Sequence, residues 1–226
     1  MNIITKKLVA ALERKMSKSA HVLNVRYWHN QSIAEIDLHI PGMDATRWTS
    51  VQHIKLKVGE GLYRDYSLTM WDVDTKTCSL IVATSHNGPG AVWARNIKRG
   101  DRIAYLGIGN TSYRYYEERS IICIGDESSL AHFVALKQLM GKDNELSGVI
   151  GFSDPNHVTE YESNIRAPFV PLAKDFEVMK QWIRRESPKD HVVYIAGNHQ
   201  LVTEMKRFVK GFPGFCGTVK GQGFWK

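Results

Sequence analysis

The sequence predicts a β + α/β protein: an antiparallel six-stranded β-barrel followed by a parallel-sheet α/β domain. Three observations lead there. The first half is a series of short segments rich in Val, Ile, Tyr and Trp that alternate in polarity and are broken by Asn, Gly and Pro. The second half changes rhythm, with apolar strand-like runs separated by stretches of helical spacing. The 226 residues, 43% of them hydrophobic, suit two domains of ordinary size with real cores.

The expected barrel strands are 21–28, 32–40, 51–58, 63–71, 77–85 and 101–108, with turns at Asn30-Gln31, Pro41-Gly42, Gly59-Glu60-Gly61 and Asp74-Thr75. Six strands with short connections close most simply as an antiparallel barrel. Between the last two, Gly88-Pro89-Gly90 opens a short helical run that ends near Arg99-Gly100. Such a turn leaves the first N–H groups of a helix unpaired, and a helix start of this kind can hold a phosphate.

In the second half, strands are expected at 120–126, 147–153, 169–172 and 192–198, and helices at 127–140, around Phe176 to Ile183, and at 199–210. A loop carrying Pro155 and Pro168 joins the second strand to the third, and a glycine-rich tail, GFPGFCGTVKGQGFWK, succeeds the last helix. Strand and helix in alternation imply a mostly parallel sheet with helices on its faces. The domains are therefore expected at 1–112, with an N-terminal helix, and at 119–226, the Ser/Thr/Tyr-rich stretch 109–119 being the linker.

Net charge of +7 is compatible with nucleic acid, an acidic protein, a phosphate-bearing cofactor or an anionic substrate. The basic residues are scattered, and Lys6-Lys7 with Arg14-Lys15 read as a solvated helix face rather than a nucleic-acid arm. No segment reads as a signal peptide and no apolar run approaches a membrane span, so the expectation is a cytoplasmic protein with neither nucleic acid nor membrane as partner. Cys78, Cys123 and Cys216 are far apart and read as buried thiols. The nine histidines form no HxxxH or HExxH pair, and no GxSxG elbow surrounds Ser85, so neither a metal site nor a nucleophile is expected.

Arg64, Asp65, Tyr66 and Ser67 fall on one expected strand, so Arg64 and Tyr66 share a face and Asp65 and Ser67 the other. An Arg there can fork onto a pyrophosphate, a Tyr can lie on a flat ring, and a Ser can reach a ring nitrogen. Alone the pattern is weak and fits an exposed pair on an ordinary strand. It gains force from the segments downstream of it, which are, in order, His86-Asn87-Gly88-Pro89-Gly90-Ala91-Val92-Trp93-Ala94, Gly100-Asp101, Gly125-Asp126-Glu127-Ser128-Ser129-Leu130, Ala196-Gly197 and Gly223-Phe224-Trp225-Lys226.

From about residue 50 onward this series resembles the siderophore-interacting proteins, FAD-dependent ferric-siderophore reductases of the ferredoxin-NADP-reductase superfamily. Their pattern runs RxYT or RxYS, HGxGPASRWA, GD, GDETALPA, AGE and GYWR. The chain departs from it in having Gly90-Ala91 for Ala-Ser, Ser128-Ser129 for Thr-Ala, Ala131 for Pro and Asn198 for Glu. The resemblance implies FAD as cofactor, NAD(P)H as donor, and a ferric siderophore as substrate, its iron arriving as part of that substrate. Reduced ferredoxin is the alternative donor.

Carried over by position, Arg64 would neutralise FAD phosphate, Tyr66 would stack on the flavin or its ribityl chain, and Ser67 would sit by N5, making Tyr66 and Ser67 the expected catalytic pair. His86, Asn87, Gly88, Gly90, Ala91 and Val92 would hold the pyrophosphate, although His86 also fits a structural role. Trp93 would pack on the adenine side or line the barrel wall. Gly125, Asp126, Ser128 and Ser129 lie at the carboxyl end of the first parallel strand, where such sheets bind ligands, and would receive the nicotinamide nucleotide; a plain strand-to-helix turn is the competing reading. Trp225 would cover the flavin or dock as part of the tail. Lys174, Lys206, Arg207 and Lys220 are candidates, by place in the chain alone, for a basic rim toward the siderophore. The loop after 151–153 offers no Arg or Lys among Asp154, Asn156 and His157, which leans against strong selection of NADPH. A flavin reductase with another acceptor, or a non-catalytic siderophore- or flavin-binding protein, remains the alternative.

Overall fold

The computed structural model describes residues 17–114, 120–140 and 145–225. The expected N-terminal helix and residues 115–119 of the expected linker lie outside them. The chain forms two compact units, one ending at Ser112 and the other beginning at Tyr113.

The first unit holds β1 (Lys18–Tyr27), β2 (Ile33–His39), β3 (Ser50–Gly59), β4 (Leu62–Ser67), β5 (Thr69–Asp72), β6 (Thr77–Ala83), a short helix α1 (Pro89–Asn96), and β7 (Arg102–Arg114), whose last residues pass into the second unit. Its sheet has seven strands in the order β4-β3-β7-β1-β2-β6-β5. Neighbours β1/β2, β1/β7, β2/β6, β3/β4 and β5/β6 run antiparallel. Seven strands appear where six were expected because the segment 63–71 breaks at Leu68, whose N–H turns to the carbonyl of Gln52 on β3 at 3.0 Å, and Met70 beyond it takes a φ of 48°.

That break closes the barrel. β4 and β5 lie at opposite edges of the sheet order, yet only Leu68 separates them in the chain, so the sheet must curl until its edges meet. Side chains that alternate inward from β1, β2, β3 and β6 fill the interior: Ala20, Val22, Ile36, Leu38, Ile54, Leu56, Leu80 and Val82, joined by Leu68 and by Ala94 of α1. Leu68 is fully buried, so the corner residue is also part of the core.

The second unit holds β8 (Ile121–Asp126), α2 (Leu130–Met140), β9 (Leu146–Phe152), α3 (Asn156–Asn164), β10 (Phe169–Ala173), α4 (Phe176–Glu186), β11 (Val192–Asn198), α5 (His199–Lys210) and β12 (Thr218–Trp225). The strands form one parallel sheet in the order β10-β9-β8-β11-β12. On one face Ile122, Ile124, Val193 and Ile195 meet Met179, Trp182 and Ile183 of α4 and Leu201, Val202, Met205 and Val209 of α5. On the other, Tyr113 packs on Tyr194 with ring centroids 4.4 Å apart and Phe133 of α2 on Phe169 at 5.9 Å. Asp and Asn side chains start the last two helices: Asp175 accepts from the N–H groups of Glu177 and Val178, and Asn198 from those of Gln200 and Leu201.

Four expectations are corrected. The glycine-rich tail contains β12, paired along its length with β11; the loop after Pro155 contains α3. Residues 109–114, read as linker, continue β7. Cys78 and Cys123 are buried as expected, whereas Cys216 is exposed, because it lies beyond α5 in the turn that leads to the edge strand.

Candidate functional site

In the barrel unit the strand β4 and the helix α1 come together. Arg64 pairs in register with Leu56 and Tyr66 with Ile54, so both lie on the face of β4 shared with core residues, while Asp65 and Ser67 face Lys55 and His53. Tyr66 continues the core outward and stacks on Trp93 of α1, with ring centroids 5.8 Å apart and planes inclined by 27°. Its hydroxyl reaches the backbone of Gly90 so closely that a Cβ on residue 90 would overlap it. A glycine is therefore required there by close approach rather than by φ. Burial pushes the Tyr66 phenol up to about 12, against a smaller downward pull from Arg64, so the hydroxyl keeps its proton and can donate it in a hydrogen bond.

Gly88 is the N-cap of α1 and Pro89 stands at N1; no side chain bonds the first-turn N–H groups of the helix. Gly90 and Ala91 are buried and Val92 is exposed. His86 Nδ1 accepts the Gly88 N–H at 3.0 Å. Arg95, which sequence reasoning did not single out, organises this loop: its guanidinium donates to the carbonyls of Thr84 and His86 and, at 3.4 Å, to Asn87 Oδ1. The available signal was its place about two turns along the helix from its Gly88 N-cap. Arg64, by contrast, is exposed and bonds the Tyr63 carbonyl, at 2.7 Å, so among the described residues no carboxylate neutralises it.

Burial and the neighbouring Arg95 both lower the pKa of His86. A histidine whose folded value lies below its unfolded one adds stability above the unfolded pKa, about 6.5, and that stability is lost as pH falls. Protonation also destroys its capacity to accept from Gly88. The thermal midpoint of the wild-type protein is expected to fall more between pH 7.5 and pH 5 than that of His86→Asn, measured by scanning calorimetry in parallel; equal falls would remove this role.

In the α/β unit Gly125, Asp126, Ser128 and Ser129 converge at the carboxyl ends of β8 and β11. Asp126 is fully buried. Its Oδ1 accepts from the N–H and hydroxyl of Ser128, its Oδ2 from the Asn198 N–H at 3.0 Å, and Lys174 Nζ stands 3.1 Å from Oδ2. Lys174 also lies 3.7 Å from Glu127, whose other oxygen accepts from Ser153 at 2.7 Å. Ser129 donates to the Asp126 carbonyl at 2.7 Å. Gly125 and Gly197 leave space for this arrangement: a Cβ on Gly197 would come 2.5 Å from Asp126 Oδ1. Trp225 donates from its indole to Ser128 Oγ at 3.1 Å and lies under the Lys174 ammonium, 5.2 Å from ring centre to Nζ.

Lys174 is thus largely buried in an ion-pair cluster and does not stand on an open rim. Lys220 lies over the Tyr194 ring at 5.8 Å, and Lys206 and Arg207 sit on α5. The structure therefore gathers most of the expected residues into two groups, one per unit, but leaves Ser67 on the opposite face of β4 from Arg64 and Tyr66 and leaves Lys206, Arg207 and Lys220 outside both groups. It adds Arg95, Glu127 and Asn198, and moves Lys174 from the expected rim into the Asp126 cluster. No cluster of three metal-ligating side chains occurs among the described residues.

This order of a closed antiparallel barrel and a parallel α/β unit is the fold of the ferredoxin reductases and their siderophore-interacting branch. The structure is similar to the siderophore-interacting protein from Acinetobacter baumannii, with a TM-score of 0.71 at 12% identity over 92% of this chain and 89% of that one. It is likewise similar to the siderophore-interacting protein SipS from Aeromonas hydrophila, with a TM-score of 0.70 at 14% identity over 93% and 91%. The ferredoxin reductase of carbazole 1,9a-dioxygenase gives 0.72 at 16% identity, over 92% of this chain and 69% of that one. No family model and no curated protein sequence matches the chain.

Proposed function

We propose that the chain is a member of the siderophore-interacting family and acts as a flavin-dependent reductase, passing electrons from NAD(P)H or reduced ferredoxin to the Fe(III) of a ferric siderophore and releasing Fe(II). The single observation that carries the flavin reading is the seating of Tyr66 on Gly90 and Trp93, beside an uncapped helix start and the unneutralised guanidinium of Arg64. These residues fit FAD: two sources of positive potential for a pyrophosphate and a half-buried aromatic wall for a planar ring system. FAD, when bound, supplies the exchange between a two-electron hydride and the single electrons that Fe(III) accepts, two ferric ions for each hydride.

The chain's own part is to bind and orient. Arg64 and the N–H groups of Gly90 and Ala91 hold phosphate, the Val92 N–H being taken by the Gly88 carbonyl at 3.0 Å. Tyr66 and Trp93 confine the ring system and adenylate, and Ser67 offers a hydroxyl at the hydride-accepting nitrogen. His86 and Asn87, fastened by Arg95, shape the loop. The Gly125 to Ser129 edge, flanked by Trp225, receives the nicotinamide nucleotide. A location in the cytoplasm agrees with the free thiols and with the reduced donors.

The likeness to ferredoxin reductases, as strong as that to siderophore-interacting proteins, supports a second reading in which the same flavin site serves another electron acceptor. One experiment separates them: the purified chain should be yellow, bleach anaerobically with NADH, NADPH or reduced ferredoxin, and recover its colour when ferric siderophore is added. Recovery only with other oxidants favours the second reading, and a colourless chain that ignores micromolar FAD ends both. Arg64→Ala is expected to weaken FAD binding about 10- to 100-fold, the worth of one charge-assisted contact, measured by fluorescence quenching of the flavin.

A further inference from the structure

We propose that the cleft between the carboxyl ends of α4 and α5 is a binding site for a small organic anion carrying an aromatic ring, an aryl phosphate or aryl carboxylate. The cleft measures about 470 Å³ and is lined by Arg184, Arg207, Phe208, Gly211, Phe212 and Pro213, a volume within the range of small-molecule sites.

Its chemistry is two guanidinium groups beside two aromatic rings. The Arg184 guanidinium lies over the Phe208 ring, 5.0 Å from its centre, a cation–π contact that leaves its N–H donors for an acceptor. Phe212, one turn on, meets Phe208 edge to face at 6.5 Å. Lys180, also over Phe208 at 5.9 Å, is engaged with Glu177 at 2.8 Å and Glu204 at 4.0 Å. Neither Arg184 nor Arg207 has a carboxylate partner among the described residues, so the two guanidinium charges are left for a ligand to neutralise. An inorganic anion would use the arginines and leave the rings in water; a neutral aromatic would do the reverse. An aryl anion satisfies both.

The position sets this cleft apart from the nucleotide edge of the same unit. All five strands are parallel, and α4 and α5 run back after β10 and β11, so their carboxyl ends lie at the amino edge of the sheet. Asp126 and Ser128 lie at the carboxyl edge, about 20 Å away along a seven-residue strand. The helix α5 spans that distance, beginning at Asn198, which bonds Asp126, and ending beside Phe208 and Gly211.

The test is a titration of the full-length ¹⁵N-labelled chain, with and without FAD, using phenyl phosphate, benzoate, inorganic phosphate and benzyl alcohol. Phenyl phosphate and benzoate should shift the amides of residues 207–212, with inorganic phosphate and benzyl alcohol each weaker by about tenfold or more. Arg184→Ala and Arg207→Ala should each weaken phenyl phosphate about tenfold, and Phe212→Leu, which keeps the packing, should narrow its advantage over inorganic phosphate. Equal affinity for phosphate and phenyl phosphate, shifts confined to other residues, or binding that survives the double arginine variant would overturn the site.

Discussion

Asp126→Ala is expected to cost about 3 to 5 kcal/mol of folding stability, the scale found when one partner of a buried ion pair is removed. The residue is fully buried and holds four donors at once: the Ser128 amide and hydroxyl, the Asn198 amide and the Lys174 ammonium. Alanine leaves those half-buried donors without their acceptor, with Lys174 retaining only the longer contact to Glu127. Asp126→Asn keeps one carbonyl oxygen, which can still accept from Ser128, but its NH2 group stands where Oδ2 accepted from the Asn198 N–H and faced Lys174, so it loses those two contacts and its cost should be smaller only by the Ser128 bonds it retains. Urea denaturation of the two variants separates the roles of the two oxygens: equal losses would show that the Oδ2 contacts, to Asn198 and Lys174, carry the whole effect. Because the same carboxylate joins the ends of β8 and β11, its loss should also loosen the edge assigned to the nicotinamide nucleotide.

Gly90→Ala is expected to destabilise the barrel unit by about 1 to 3 kcal/mol, the usual penalty of overpacking, and to lower FAD affinity by at least tenfold. The added methyl overlaps the Tyr66 hydroxyl, and any shift of the ring to relieve it disturbs the stack on Trp93. Tyr66→Phe removes the obstructing oxygen while keeping the ring. In that background the cost of Gly90→Ala should shrink, giving a double-mutant coupling of about 1 kcal/mol or more. Additive effects, measured by thermal unfolding and flavin titration, would mean that the close approach of hydroxyl and backbone is not what fixes residue 90 as glycine.

The elements that were legible are those whose side chains report burial directly. The strands around Ile36, Ile54 and Leu80 alternate because one face is core and the other is not, and the runs 121–125 and 192–197 are apolar throughout because helices or rings cover both faces. What escaped had no such signature. β12 is an edge strand in which glycines occupy positions 221 and 223 and most residues are exposed, so nothing in its polarity distinguished it from a loop; only its pairing with β11 defines it. α3 buries just His157 and Tyr161, four residues apart, and that spacing was the one available clue. In the candidate site, the order of motifs located Arg64 to Ser67 and His86 to Trp93. It could not show that Lys174, remote in sequence, balances Asp126, since a long charged side chain carries no mark of where its end will lie.

The corner at Leu68 places a limit on length as well as on composition. With opposite edges of the barrel joined through a single residue, an insertion there cannot be absorbed as slack. It would have to slide β4 or β5 along its neighbour, and a slide of one position reverses every side chain on the strand. Tyr66 would then face away from Gly90, and Ser67 would point into the barrel. The hairpin turns at 59–61 and 73–76 carry no such coupling. Variation in chain length among proteins built this way should therefore collect at those turns, while the spacing from the arginine to the buried leucine stays fixed at four residues.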